Sequence, residues 1–290
     1  MIMEETIMKQ SNMRHRKVVV RIFLLVFFII LATLILLPLY AMLMASFRPG
    51  SDLVRYGLNL NLNIPQMNLD NYIFLFTGEH DYFTWLGNSL FMTVLQVFLT
   101  LLISSLVGYG LSAYNFKGKR IVFICVMLIL MVPFEILMLP LYTQSINLHL
   151  IDTRAGVMLP FLANAMTIFF FQQYIGGIPK EIIDSGRVDG STEYGIFFKL
   201  IMPIMKPAIA SMAILNCMNR WNDLLWPLLV FKSQDKFTLP IGLNTLLTPY
   251  GNNYDLLVVG SVFSIIPIFI LFLCFQRYFI EGMTAGSVKG

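Results

Sequence analysis

Charge is scarce in this chain. Only 12% of its 290 residues are Asp, Glu, Lys or Arg, about half the share of an ordinary soluble domain. Such a composition cannot coat a globule in water, so a soluble cytosolic enzyme is excluded. The 57% of hydrophobic residues exclude a disordered chain. Cysteine is scarce as well. Cys125, Cys217 and Cys274 are odd in number, far apart and each inside an apolar run, which fits small buried hydrophobes and not a disulfide framework or zinc site. His15, His80 and His149 are isolated outside the apolar runs and make no metal cluster. The chain has no GxxxxGK[ST] loop to hold a nucleotide phosphate. It shows no internal repeat, no low-complexity tract and no paired His/Asp or nucleophile–base arrangement, so no catalytic residue is assigned. The net charge of +4 is spread along the chain, which argues against nucleic acid.

What is plentiful is long apolar sequence. Six stretches approach the ~20 residues that a spanning helix needs: 22–45, 89–113, 121–142, 155–171, 208–230 and 256–275. Every backbone polar group in a bilayer must be paired locally, so the expected fold is all-α, a polytopic membrane protein of six transmembrane helices. The first stretch is too long for a secretory signal and lacks a small-x-small cleavage site, so it is read as a retained anchor. Basic residues set the orientation. Lys9, Arg14, Arg16, Lys17 and Arg21 precede the first span; Lys117, Lys119 and Arg120 follow the second; Lys180, Arg187, Lys199 and Lys206 follow the fourth; Arg277 and Lys289 follow the sixth. The opposite side has Arg48, Arg55, Arg154, Lys232 and Lys236. This bias puts both termini in the cytoplasm, as an even span count requires. The organisation expected is a basic cytoplasmic segment (1–21), a six-helix domain (22–280) and a cytoplasmic tail (281–290). Polar, turn-rich loops at about 46–88 and 231–255 face outward. Ser104, Gly108 and Ser112 have the small-xxx-small spacing of close helix packing. Pro133, Pro140, Pro160 and Pro267 are expected to break or bend their spans, and Glu135 is read as structural.

The connection 178–203 is unlike the others. Pro179 is placed to open a helix, with Glu181 and Asp184 in its first turns, where the helix dipole favours acids. Asp189-Gly190 signals a turn, and Ser191 is expected to cap a second helix. Ile182 and Ile183 add apolar surface to the first piece; Tyr194, Phe197 and Phe198 add aromatic bulk to the second. Two readings are open on these grounds: an amphipathic element lying on lipid headgroups, or a knob that docks a cytoplasmic partner.

This stretch resembles the cytoplasmic coupling motif of ABC-importer permeases, in which an acid-Ala-Ala run precedes Asp-Gly, an aromatic residue and a proline. Asp184-Ser185-Gly186, Asp189-Gly190, Phe197 and Pro203 hold those positions. The segments 159–165 (LPFLANA), 221–223 (WND), 226–227 (WP), 237–243 (FTLPIGL) and 276–290 (QRYFIEGMTAGSVKG) are similar to those of the carbohydrate-uptake permeases, in particular the second permease subunit of maltose-type importers. The resemblance implies a permease subunit of a binding-protein-dependent importer, multi-pass in a bacterial or archaeal cell (inner) membrane, that takes up a sugar or oligosaccharide by alternating access. It also implies partners: a second permease in a heterodimer, two ATPase subunits that hold the ATP and Mg, and an extracellular or periplasmic solute-binding protein. This chain itself would bind no cofactor and catalyse no reaction. The residues implied for ATPase coupling are Glu181, Asp184, Gly186, Arg187, Asp189, Gly190 and Phe197, with Gly286 and Lys289 in a tail facing the ATPases. Ser185 and Gly186 depart from the family's two alanines. Gly costs a helix about 1 kcal/mol relative to Ala, so the docking helix is either looser here or allows a closer approach to its partner.

The fifth span offers a substrate site. Arg220 and Asp223 share a helix face, and a charge at mid-membrane costs about 2.5–3.5 kcal/mol on insertion scales. Asn216, Asn219, Trp221 and Asn222 surround them, a set suited to sugar hydroxyls and sugar faces. Three readings stand side by side: an Arg220–Asp223 pair that only holds the bundle, a neutral sugar site, and an anionic sugar met by Arg220. A different class, an ion-gradient-driven secondary transporter, would need mid-membrane carboxylates and often a repeat. Only Glu135 and Asp223 offer the former.

Overall fold

The computed structural model describes residues 2–57, 67–78, 80–248 and 251–284. Helices dominate. They are α1 (Ile2–Ser46), α2 (Gly50–Tyr56), α3 (Asp70–Thr77), α4 (Tyr82–Ala113), α5 (Lys119–Leu130), α6 (Phe134–Asn147), α7 (Arg154–Met158) and α8 (Ala165–Gly176). They continue with α9 (Lys180–Val188), α10 (Glu193–Ile196), α11 (Met202–Ile204), α12 (Lys206–Trp221), α13 (Leu225–Val230), α14 (Leu239–Thr245) and α15 (Tyr254–Thr284). A π-turn, Phe197–Ile201, joins α10 to α11. Leu247–Thr248 and Gly251–Asn252 form a minimal hairpin.

Three helical stretches are long and apolar enough to cross a membrane unbroken: Lys17–Ser46, Tyr82–Ala113 and Tyr254–Arg277. Three further helix pairs reach that length and apolarity only when joined across a bend: 119–130 with 134–147 at 105°, 154–161 with 165–176 at 41°, and 193–204 with 206–221 at 77°. Six spans result if each pair counts once. Two of the four prolines account for breaks. Pro133 caps α6 after the sharpest bend, and Pro160 sits in a 3-10 turn between α7 and α8. Pro140 and Pro267 lie inside continuous helices and do not break them. A membrane helix tolerates them because neighbouring groups re-satisfy the freed carbonyl. The fifth span also differs. The expected run 208–230 stops at Trp221, and α13 begins a separate short helix at Leu225. Glu135, expected to be structural, is exposed in the first turn of α6.

The chain divides into two compact units. The first is residues 1–78 with 252–262. Here Asn71 donates to the carbonyls of Ser46 (3.1 Å) and Arg48 (2.7 Å), and Asp255 Oδ1 accepts from the Gly50 N–H at 2.5 Å. The second unit is 79–251 with 263–290, and α4 is its axis, packing along α8 and α12. Gly108 makes the α4–α8 approach possible: a Cβ there would lie 2.9 Å from Phe171 Cβ and 3.1 Å from the Gln172 nitrogen. Ser104 is fully buried on the same stripe, as the small-xxx-small spacing anticipates. Two cores result. One gathers Tyr109, Phe171, Ile175, Ile183, Ile196 and Phe197; the other gathers Met92, Val157, Met158, Trp226, Val230 and Ile241. Beside the second, Asp152 knots two loops together. Its carboxylate accepts from the Lys232 N–H (2.9 Å), the Ser233 N–H (3.1 Å), the Ser233 hydroxyl (2.5 Å) and Lys236 Nζ (2.7 Å).

Candidate functional site

The 178–203 connection folds as a helical hairpin built on the first core. Pro179 stands at the N-cap of α9, where its missing N–H costs nothing. The helix ends in a Schellman turn: the Ser191 N–H donates to the Gly186 carbonyl and the Gly190 N–H to the Arg187 carbonyl, both at 3.0 Å. Gly190 takes φ +74°, a left-handed value that explains the Asp-Gly pair. The second helix is capped by Thr192 rather than the expected Ser191. Thr192 Oγ1 accepts from the Gly195 N–H at 3.1 Å, because the Schellman turn uses the Ser191 backbone and moves the cap on by one.

The hairpin has an inner and an outer face. Ile183, Gly186, Ile196 and Phe197 turn inward and are buried. A Cβ on Gly186 would meet Leu200 Cδ1 at 2.9 Å and Ile196 Cγ1 at 3.0 Å. The close approach that Gly186 permits here is to Leu200 and Ile196 of its own chain. Phe197, 1% exposed, likewise packs inside, 5.3 Å from the Tyr109 ring. Outward stand Glu181, Asp184, Asp189 and Gly190 with two apolar side chains at the tip, Val188 (86% exposed) and Tyr194 (74%).

Glu193 locks the hairpin to α4. It faces Arg187 through Oε1–Nε at 2.7 Å and Oε2–Nη2 at 3.4 Å, while Arg187 Nη1 reaches Asp184 at 3.1 Å. Glu193 Oε2 also accepts from the hydroxyls of Tyr114 (2.7 Å) and Tyr109 (3.1 Å). The Glu193 carboxylate holds the Arg187 guanidinium above its usual range, so its positive charge is permanent. Sequence reasoning missed Glu193, Tyr109 and Tyr114 as a group, since nothing local places residues some 80 apart side by side. The tail residues Gly286 and Lys289 lie outside the described residues.

The six residues of the fifth span separate by environment. Asn216 is buried and donates to Thr167 Oγ1 (3.0 Å) and the Met212 carbonyl (2.8 Å). Trp221 is buried with its indole N–H on the Ser264 carbonyl at 3.1 Å. Arg220 Nη1 meets Asp223 Oδ2 at 2.9 Å, and its guanidinium lies 4.2 Å over the Phe161 ring. This pair lines a narrow cleft with Thr93, Gln96 and Thr238, with room for about one water and not for a sugar. Asn219 and Asn222 alone of the six are exposed. They lie on the α12 face that also carries the exposed Leu215 and Met218. Among the described residues no cluster of His, Cys, Asp and Glu could hold a metal ion.

Comparison with known proteins agrees with this architecture. The family model described as binding-protein-dependent transport system inner membrane component matches residues 100–285, which include the hairpin and α12. The arabinooligosaccharides transport system permease protein AraQ of Bacillus subtilis (strain 168) is 52% identical, over 94% of this chain and 97% of its own length. The lactose transport system permease protein LacG of Rhizobium radiobacter is 37% identical over 70% of this chain and 74% of its own. Among solved structures, the chain is similar to one from a bacterial ABC transporter involved in the import of the acidic polysaccharide alginate. The TM-score is 0.77 at 24% identity, covering 89% of this chain and 97% of that one, a likeness of fold. With its broken spans, its buttressed hairpin and a family match over 100–285, this chain belongs to the inner-membrane components of binding-protein-dependent transport systems.

Proposed function

We propose that this chain is one of two permease subunits in an ATP-driven importer of neutral oligosaccharides, arabino-oligosaccharides first among them. Both termini lie in the cytoplasm in this reading, and two ATPase subunits hold the ATP and Mg. A binding protein delivers the sugar from outside. The observation that carries it is the hairpin. Its tip offers acids and two exposed apolar side chains to a partner, while its base is fused to the core and to α4 through Glu193. A knob so fixed passes on a push instead of absorbing it. Two conformations and a nucleotide that favours one of them are all that alternating access then needs. Glu181, Asp184, Asp189, Val188 and Tyr194 form the docking surface. Gly190 shapes the turn, and Gly186, Arg187 and Phe197 support it from within.

The sugar path runs along the exposed α12 face, with Asn219 and Asn222 as its hydroxyl-binding groups. Uncharged amides exposed on a spanning helix need water, substrate or a partner helix. A neutral substrate fits because the Arg220 charge is already matched by Asp223 and stacked on Phe161. The relatives named for arabinooligosaccharides and lactose support the same class. Replacing Asp189 and Gly190 together (D189A with G190V) in the reconstituted importer tests the coupling role. Sugar uptake should fall at least tenfold while the ATPases go on hydrolysing ATP; uptake at the unmodified rate would overturn it.

A further inference from the structure

We propose that a groove where α4 ends and α5 begins holds the headgroup of an anionic glycerophospholipid of the phosphatidylglycerol type. The groove has a volume of about 410 Å³ and is lined by Leu111, Phe116, Gly118, Lys119, Arg120, Phe123 and Gln172. It sits at the ends of two spanning segments, where hydrocarbon gives way to headgroups. It is at the same end of α4 as the Tyr114–Glu193 bond. The proposed topology makes that the cytoplasmic leaflet, and the leaflet assignment rests on that reading.

Its chemistry is that of a lipid with a negative headgroup. Leu111, Phe116 and Phe123 supply apolar wall, Lys119 and Arg120 supply two positive charges, and no carboxylate lines the groove. Lys119 is held in place, with Nζ donating to the carbonyls of Tyr114 (2.9 Å) and Ser112 (3.5 Å). Arg120 is exposed and has no ion pair or hydrogen bond among the described residues. Basic pockets between spanning helices are where anionic headgroups bind, each cation adding about 1 kcal/mol near the surface. A third group points to a headgroup that can also donate. Gln172 lines the groove, and its carboxamide oxygen is buried without a hydrogen-bond partner among the described residues; a turn of that side chain toward the groove would offer the acceptor to a glycerol hydroxyl beside the phosphate. Lys119 holds the carbonyl of Tyr114, and the Tyr114 hydroxyl holds Glu193, so the lipid and the hairpin share one residue.

The test uses the whole importer in nanodiscs of phosphatidylcholine with or without phosphatidylglycerol, then native mass spectrometry of the released complex. The unmodified complex should keep phosphatidylglycerol in preference to phosphatidylcholine. Arg120→Gln should weaken that retention about fivefold and leave phosphatidylcholine unchanged. Gln172→Leu, which leaves the charges alone, should weaken it about threefold or more. Lys119 is left intact because it caps α4. Equal retention of the two lipids by the unmodified complex, as when a partner permease covers the groove, would overturn the proposal. So would unchanged phosphatidylglycerol retention in both variants. Displacement by millimolar glycerol phosphate would give the groove to a soluble phosphate instead and would also overturn it. Lipid retention is read without sugar, so a wrong sugar assignment would leave these outcomes untouched.

Discussion

Asp152 holds its two loops through one carboxylate and a backbone φ of +57°, a left-handed value that Asp and Asn tolerate better than most residues. The Lys236 ammonium, the Ser233 hydroxyl and the Lys232 N–H keep its pKa well below the usual carboxylate range. The sign follows. A depressed folded pKa gives stability that is present above the unfolded value near pH 4 and lost as pH falls through the folded value. Asp152→Asn keeps the backbone preference and removes the charge. It should lower the melting temperature at pH 7 by about 2–4 °C, corresponding to about 1 kcal/mol for a partly exposed pair, and the gap to the parent should shrink below about pH 4. Thermal unfolding of the purified complex across pH checks this. Gly186→Val should cost about 1–3 kcal/mol by overpacking Ile196 and Leu200, although valine forms helix better than glycine. The Asp-Gly turn was legible at this scale because only a left-handed residue closes it. The role of Asp152 was not, since a loop aspartate carries no sign of its four donors.

Elements bring such residues together. At the end of α12 and just beyond it the sequence shows a cluster of six polar and aromatic residues, but it does not show which way each one faces. The helix turns Asn216 and Trp221 inward and Asn219 and Asn222 outward. Two substitutions should therefore behave oppositely. Asn216→Ala should destabilise by about 1–3 kcal/mol, because it empties a buried hydrogen-bonded position beside Thr167. Asn219→Leu with Asn222→Leu should leave the melting temperature unchanged and cut sugar uptake severalfold. Measuring stability and uptake on the same preparations separates the two. The hairpin was legible as helix, turn and helix because Pro179, Asp189 and Gly190 are local signals. Its attachment to α4 was hidden, since Glu193 meets Tyr109 and Tyr114 only after folding. Glu193→Ala should leave Arg187 with Asp184 as its remaining acidic partner and loosen the hairpin from α4. Sugar moved per ATP hydrolysed should then fall several-fold while hydrolysis persists, as paired uptake and phosphate-release assays would show.

The whole chain was readable as a membrane-spanning permease because scarce charge and six apolar runs leave few alternatives. The bends were less readable: the sharpest, 105°, coincides with a proline, whereas the break after Trp221 has no comparable mark. From residue 17 to residue 40 the first helix is exposed on every side, and α5 has no buried residue. Apolar surface on that scale needs lipid or a partner helix to cover it. In the proposed function this subunit works only within an assembly powered from elsewhere. The direct test is uptake of a labelled arabino-oligosaccharide into proteoliposomes holding both permeases, with and without the ATPase subunits and with loaded binding protein outside. Accumulation only when ATPases and internal ATP are both present is the predicted result. Equal accumulation without the ATPases, driven by an ion gradient, would contradict it.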